Sequence, residues 1–285
     1  MNPSAGAGRA ARCWPRVQRM LAREGLAFSS VQHDGLAGLS ELAAEAARSG
    51  HTTVAAMGGD GTIREVAGGL AGTDTVLGII PAGTGNGTAH SLALPLDLPG
   101  ACRTLARGVE RQVDLGSSLR GSFLNVAGVG LDASIAQEYR LAGHPTGLAG
   151  YIVAALRVLP EFRPAQLTVT LDGACHQLRG TLVVVGNGRY WGKGIRIAAT
   201  ADPADGQFDV SLVHAANLRE LAGLVPLLLR GRLAEHPLVT VRRARRVSVT
   251  GDVPLLVHLD GDVVGHTPDH FELLPSRLKV LVPVG

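Results

Sequence analysis

Met57-Gly58-Gly59-Asp60-Gly61-Thr62 lies between two short segments of different periodicity. Before it, Thr52-Thr53-Val54-Ala55-Ala56 is a β-branched and apolar run that predicts a buried strand. After it, Ile63, Val66, Ala67 and Leu70 recur at the spacing of one helix face. A Gly-rich turn therefore joins a strand to a helix N-terminus. Its glycines allow a tight turn and a close approach of backbone to ligand. The first helical turn offers unpaired N–H groups and a positive dipole end, both suited to phosphate. Asp60 is the exception, because a carboxylate repels phosphate unless a metal ion or a proton transfer involves it. Its structural alternative is a turn residue that caps the helix.

A second unit of the same kind follows. Val76-Leu77-Gly78-Ile79-Ile80 is an apolar run, Pro81-Ala82-Gly83-Thr84-Gly85-Asn86-Gly87 a Gly-rich turn, and Ala89, Leu92 and Ala93 stand at helical spacing. Ligands of open α/β sheets bind outside the carboxyl ends of the strands. Two such turns therefore predict facing walls of a single phosphate site. Around them, Ala27 to Gln32 reads as a strand. Leu39, Leu42, Ala43 and Ala46 mark a helix ending at Gly50, and Leu98 to Arg107 marks a further helix. Strands alternating with helices predict an α/β domain with a doubly wound parallel sheet, over residues 1–110.

From about Gln112 the pattern changes. Short apolar runs such as Gln166–Leu171, Thr181–Val185, Ile195–Ala198, Phe208–Val213, Val247–Thr250 and Leu255–Leu259 are separated by Gly, Asp and Pro turns. They predict an all-β-rich antiparallel sandwich over 111–277. A helical interlude from about Asp132 to Leu159, broken near His144-Pro145, interrupts it.

Composition narrows the class. The chain has 285 residues, 46% of them hydrophobic and 18% charged, enough for a well-filled core in one large or two ordinary domains. A net charge of only +3 argues against a dedicated nucleic-acid binder, which carries a concentrated basic footprint. Cys13, Cys102 and Cys175 are isolated, so neither a disulfide framework nor a zinc ribbon is expected, and a reducing cytoplasm is. Met1-Asn2-Pro3 leads into Gly and Ser with no apolar segment, so no signal peptide is expected. The longest apolar run, Leu221 to Leu229, is interrupted by Gly223 and Pro226 and is too short to span a bilayer. Any membrane contact is therefore expected to be peripheral.

Gly58-Gly59-Asp60-Gly61-Thr62 with Glu65-Val66, followed by Pro81-Ala82-Gly83-Thr84-Gly85-Asn86, resembles the diacylglycerol kinase catalytic-domain family. That family also holds sphingosine and ceramide kinases and bacterial lipid kinases. The first loop alone is shared with NAD kinases and, in a close variant, with phosphofructokinases; the pair at this spacing is far more specific. Asn2-Pro3-Ser4-Ala5-Gly6-Ala7-Gly8, ahead of a helix with Trp14, Val17 and Leu21, is similar to the family's first nucleotide-contacting loop. The family places an apolar strand before that loop. Here the chain begins at the loop, so that strand is expected to be missing or to lie upstream. The resemblance runs to the C-terminus. It implies an NAD-kinase/phosphofructokinase-like first domain, a site in the cleft between domains, and a last strand at about 278–285 returning to the first domain.

Residue by residue, the resemblance implies nucleotide contacts from Asn2, Gly58, Gly59, Gly61, Thr62, Glu65, Gly83, Thr84, Gly85 and Asn86, with Asp60 organising Mg²⁺. Leu259-Asp260-Gly261-Asp262 reads on its own as a hairpin turn. Its position resembles the family's Asp-Gly-Glu motif, which implies Asp260 as general base, with Asp262 where the family has Glu. Asp202-Pro203-Ala204-Asp205-Gly206-Gln207 resembles a structural Mg²⁺ loop of bacterial lipid kinases. That implies side-chain ligands from Asp202 and Asp205 and a backbone carbonyl from Gln207; a solvated acidic turn is the alternative. One departure stands out: Gly87 occupies the place of an Asp in the diacylglycerol kinase pattern, where sphingosine kinases carry Ala.

The function so implied is an ATP-dependent, Mg²⁺-using lipid kinase, cytoplasmic and peripheral, that phosphorylates diacylglycerol or a sphingoid base at a membrane surface. No nucleic-acid partner is expected, and a homodimer is compatible with it. The rivals are an NAD kinase, an inactive nucleotide- or lipid-binding homologue, and a dinucleotide oxidoreductase. For the last, Gly128-x-Gly130-x-x-Ala133 matches a dinucleotide fingerprint. It falls in the antiparallel half and is read as close backbone packing. His266 and His270 are separated by Pro268, which prevents a helical metal pair. Arg242, Arg243, Arg245 and Arg246, with Arg230 and Arg232, would favour an anionic membrane surface if they share a face.

Overall fold

Glycine and proline punctuate the chain into alternating segments in its first part and into short strands thereafter. The computed structural model describes residues 1–141, 148–192, 194–215, 217–275 and 277–284. The break expected near His144-Pro145 lies outside the described residues. The chain divides into two units, Met1–Leu115 with Pro275–Gly285, and Gly116–Leu274.

Unit 1 opens with α1 (Ala5–Arg23), α2 (Leu39–Arg48), β1 (Thr53–Gly58), α3 (Asp60–Leu70), β2 (Val76–Pro81), α4 (Gly87–Ser91), α5 (Leu98–Arg107) and β3 (Val109–Val113). Unit 2 contains β4 (Gly116–Ser118), β5 (Gly121–Phe123), β6 (Val126–Gly130), α6 (Leu131–Leu141), α7 (Leu148–Val158), β7 (Ala165–Leu171), β8 (Ala174–Gly180) and β9 (Leu182–Gly186). It continues through β10 (Tyr190–Trp191), β11 (Ile195–Arg196), β12 (Phe208–Val213), α8 (Leu218–Leu229), β13 (Val239–Ala244), β14 (Arg246–Gly251), β15 (Leu256–Leu259), β16 (Asp262–His266) and β17 (Asp269–Leu273). The chain then re-enters unit 1 as β18 (Leu278–Val282).

Among the described residues, the sheet of unit 1 has the order β1-β2-β18-β3. β1 and β2 run parallel from Thr53↔Val76 to Gly58↔Pro81, which brings both Gly-rich turns to the same edge of the sheet. β18 is parallel to β2 and antiparallel to β3. Val17 and Leu21 of α1 and Leu98, Ala101 and Cys102 of α5 pack on Met57 and Ile80. The alternate residues Ala56, Leu77 and Ile79 are equally buried on the other strand face. α2 and α3 touch closely enough that a Cβ on Gly69 would lie 2.1 Å from the Ser40 carbonyl oxygen.

The strand expected at Ala27–Gln32 does not form. That segment is exposed, Phe28 and Val31 included, and its backbone bonds to Met1: the Met1 ammonium donates to the Val31 carbonyl, and His33 N–H to that of Met1. Apolar content without a second face to bury does not make a sheet strand.

Among the described residues, unit 2 is a sandwich of two six-stranded sheets, β13-β12-β9-β6-β15-β16 and β5-β4-β17-β14-β7-β8, with a separate β10-β11 pair, every strand pair antiparallel. Phe123 stacks on Phe208 and meets Phe271 edge-on in the core between them. Period-2 alternation sends Ala127, Val129, Val257 and Leu259 into that core. Val126, Trp191 and Val213 form a second cluster with α8 through Leu224. The same alternation divides Arg242 from Arg243, which turns to Asp209 and Asp205, so the arginine cluster does not present one face.

Candidate active site

Three loops converge in unit 1. The Gly58 carbonyl at the end of β1 accepts the N–H groups of Ala82 (2.8 Å) and Gly83 (3.1 Å), stitching the two Gly-rich turns together main chain to main chain. Side chains have no room there: a Cβ on Gly83 would lie 2.4 Å from the Gly59 Cα, and one on Gly58 2.4 Å from the Thr62 Cβ. The loop after Asn2 joins them. Gly6, at φ 62°, sits so close to the second turn that a Cβ would fall 2.1 Å from the Ala82 carbonyl oxygen.

Polar side chains lock this arrangement. Asn2 is buried; its N–H donates to the Met57 carbonyl at 3.0 Å, and its side-chain amide donates to Thr62 Oγ1 and the Gly35 carbonyl, each at 3.1 Å. Asn86 takes the left-handed conformation and bonds Gly83 twice, accepting its N–H at 3.0 Å and donating to its carbonyl at 3.1 Å. Asp60 accepts the Gly87 N–H on Oδ2 (3.0 Å) and the Thr88 N–H on Oδ1 (2.9 Å). The cap that was its structural alternative is thus made to α4, not to its own helix. The N-cap of α3 is Gly59, which makes no side-chain cap, and Asp60 is the acidic residue of that helix's first turn.

Asn2, Gly58, Gly59, Asp60, Thr62, Gly83 and Asn86 are therefore brought into one constellation, with Gly61 in the first turn of α3. Thr84 is exposed and Gly85 half-buried on its rim. Glu65 lies one turn along α3, where its Oε1 accepts two guanidinium N–H bonds from buried Arg64, at 2.8 and 3.3 Å. Thr88 adds a buried hydroxyl with no hydrogen-bond partner among the described residues, next to the amide that Asp60 holds. An uncapped helix start, glycines at the loop crossing and an orphaned hydroxyl fit a phosphate-bearing ligand.

In unit 2, Asp260 (φ 50°) and Gly261 (φ 91°) form the two-residue turn between β15 and β16, the positive-φ pair that tight hairpins need. The Asp260 carboxylate folds back to accept three successive backbone N–H groups, those of Leu124, Asn125 and Val126, each at 2.9 Å. Asp262 pairs with Arg140 at 3.0 Å. Asp202 and Asp205 share the loop before β12. Asp202 Oδ1 accepts the Ala204 N–H (3.1 Å) and Asp205 Oδ1 the Gln207 N–H (3.0 Å). Among the described residues no cluster of three His, Cys, Asp or Glu side chains is disposed to hold a metal ion. A hydrated Mg²⁺ needs only one or two carboxylates, which this loop has.

Sequence reasoning missed a buried pair beneath the Asp260 turn. His258 Nε2 lies 2.9 Å from Asp132 Oδ2. The Gly128-x-Gly130 match marks the place: Gly128 is opposite His258 in the sheet, and a Cβ there would lie 1.8 Å from Asp132 Oδ2. No helix among the described residues is long and apolar enough to cross a membrane.

Comparison with known proteins covers both units. Residues 1–118 match the diacylglycerol kinase catalytic domain, and residues 125–282 the YegS C-terminal NAD kinase beta sandwich-like domain. A Mycobacterium tuberculosis protein named diacylglycerol kinase is 31% identical over 99% of this chain and 93% of its own length. A Bacillus subtilis protein of the same name is 31% identical over 86% of this chain and 82% of its own. The crystal structure of a Bacillus anthracis diacylglycerol kinase superposes with a TM-score of 0.80 at 25% identity, over 99% of this chain and 94% of that one.

Proposed function

The chain belongs to the diacylglycerol kinase catalytic-domain family, a family of lipid kinases, and from that premise we propose that it transfers the γ-phosphate of ATP to the hydroxyl of a lipid alcohol, diacylglycerol or a sphingoid base. The observation that carries the reading is the crossing of the two Gly-rich turns, held by Asp60 and Asn86, with the uncapped start of α3 beside it.

Phosphoryl transfer asks a protein mainly for positioning and charge stabilisation. Backbone amides of Gly59–Gly61 and of Thr84 and Gly85 bind the nucleotide phosphates, while the Gly83 N–H is spent on the Gly58 carbonyl and Asn86 and holds the second loop in shape. Asn2 and Thr62 brace the first two loops against each other, and Glu65 supports the site from α3. Asp60 carries the negative charge that would hold a divalent ion at this site. Bound Mg²⁺–ATP supplies the phosphoryl group and the positive charge that offsets the charge developing in transfer. Asp260 accepts the proton of the lipid hydroxyl, a contribution worth roughly 10²–10⁴ in rate. Its three backbone donors hold the carboxylate in one orientation. Asp202, Asp205 and the Gln207 carbonyl would hold a second, structural cation. The enzyme works at the membrane surface without crossing it.

The test is transfer of label from γ-labelled ATP, with Mg²⁺, to diacylglycerol, sphingosine, ceramide and phosphatidylglycerol in mixed micelles. Label entering one lipid establishes the activity and its acceptor together. ATP binding with no labelled lipid would overturn the reading in favour of a non-catalytic binder.

A further inference from the structure

His258 is fully buried and Asp132, at the start of α6, is 3% exposed. His258 Nδ1 accepts the Gly261 N–H at 3.2 Å, and Nε2 faces Asp132 Oδ2 at 2.9 Å. A backbone amide can only donate, so Nδ1 is unprotonated and the ring proton sits on Nε2, donated to Asp132. Asp132 is itself fixed, its Oδ1 accepting the Ala133 N–H at 2.7 Å. The environment is shaped around the pair. Gly128 leaves the space the two side chains fill, and the Trp191 indole stacks on the imidazole with ring centroids 6.3 Å apart.

Burying an acid and an imidazole is expensive, and an apolar pair of similar volume would stabilise the sheet as well or better. The polar pair supplies something an apolar pair cannot: an acceptor of fixed tautomer aimed at the turn that carries Asp260. Resting on the reading of Asp260 as proton acceptor, we infer that Asp132 and His258 are positioning residues for the transfer reaction. The carboxylate sets the tautomer, the imidazole pins Gly261, and the pinned turn presents Asp260 in a single geometry. Neither residue touches substrate.

The experiment combines kinetics with nitrogen NMR of histidine in the wild-type protein. The Nε2–H tautomer is expected for His258; an Nδ1–H or doubly protonated ring overturns the assignment, whatever the activity. His258→Leu removes the acceptor, and kcat is expected to fall about 10²-fold while the KM for ATP stays within about twofold. His258→Asn keeps a carbonyl oxygen near the place of Nδ1 and is expected to recover about tenfold of that loss. A folded Leu variant with full kcat, or an Asn variant no better than Leu, overturns the positioning role alone. If the Leu variant does not fold, the tautomer and the Asn variant decide. A wild-type protein inactive on every lipid overturns the phosphotransfer reading itself, and the positioning role with it.

Discussion

Asp60 Oδ2 accepts the Gly87 N–H at 3.0 Å across 27 positions of chain, so the first residue of α3 holds the first residue of α4. The donor is main chain, and Asp60 therefore has the same partner whatever side chain stands at position 87, proline excepted. Asp60→Ala is expected to cost about 1–2 kcal/mol of stability through the lost cap, read by urea denaturation, and to abolish lipid phosphorylation. Wild-type stability in that variant would show that the two turns hold each other without the carboxylate.

The crossing of the turns is asymmetric. A Cβ on Gly83 would lie 2.4 Å from the Gly59 Cα, whereas one on Gly59 would lie 3.2 Å from the Gly83 Cα. Gly83→Ala is expected to destabilise by about 1–3 kcal/mol and to weaken nucleotide binding, with Gly59→Ala milder on both counts. Calorimetric titration with ATP analogues on the two variants checks the order; the reverse order would contradict the crossing geometry.

Asp260→Asn is expected to lower kcat by roughly 10²–10⁴ while ATP binding survives. Stopped-time assays with the preferred lipid, beside nucleotide titration of the same preparation, separate the two. Full turnover would remove Asp260 from proton transfer and leave it the anchoring of residues 124–126.

Lys279 on β18 pairs with Asp74, ahead of β2, at 2.7 Å. The hydrogen bond from Lys279, then its charge, holds the Asp74 carboxyl below its ordinary value; the same bond holds the Lys279 ammonium above its own. The carboxylate's contribution is therefore present above the unfolded carboxyl's titration and is lost as pH falls through the lowered folded value. The ammonium's is present below the unfolded amine's titration and is lost as pH rises through the raised folded value. Asp74 is fully exposed, so solvent screening keeps the contribution small. Denaturation midpoints of wild type and Asp74→Asn at low salt are expected to differ slightly and evenly around neutrality, and to converge below the carboxylate range. A gap that widens in acid would reverse the sign.

The two-part architecture is legible because its signals are local. A strand, a Gly-rich turn and a helical face lie within about twenty residues, and backbone freedom at Gly58 and Gly83 is visible as glycine itself. Ala27–Gln32 carries the same apolar signal without a sheet neighbour to pair with, so composition alone misleads there. β8 escaped notice for the opposite reason. Only Leu178 and Gly180 along it are buried, which leaves too little alternation to read at an edge strand. Asp132 and His258 are 126 positions apart, and each looks like an ordinary polar residue until the register of β6 and β15 lays His258 over Gly128. Non-local pairings of this kind leave no period in a sequence.

β18 lies between β2 and β3, and all of unit 2 precedes it in the chain. On the ribosome, the residues of unit 2 are a continuous stretch that can finish folding as it emerges, while the sheet of unit 1 waits with an open slot for its third strand. The order of completion is then the reverse of the order of synthesis, against the usual N-terminal-first progression. Until β18 arrives, β2 and β3 present unpaired edges, the surfaces most prone to pair with another chain.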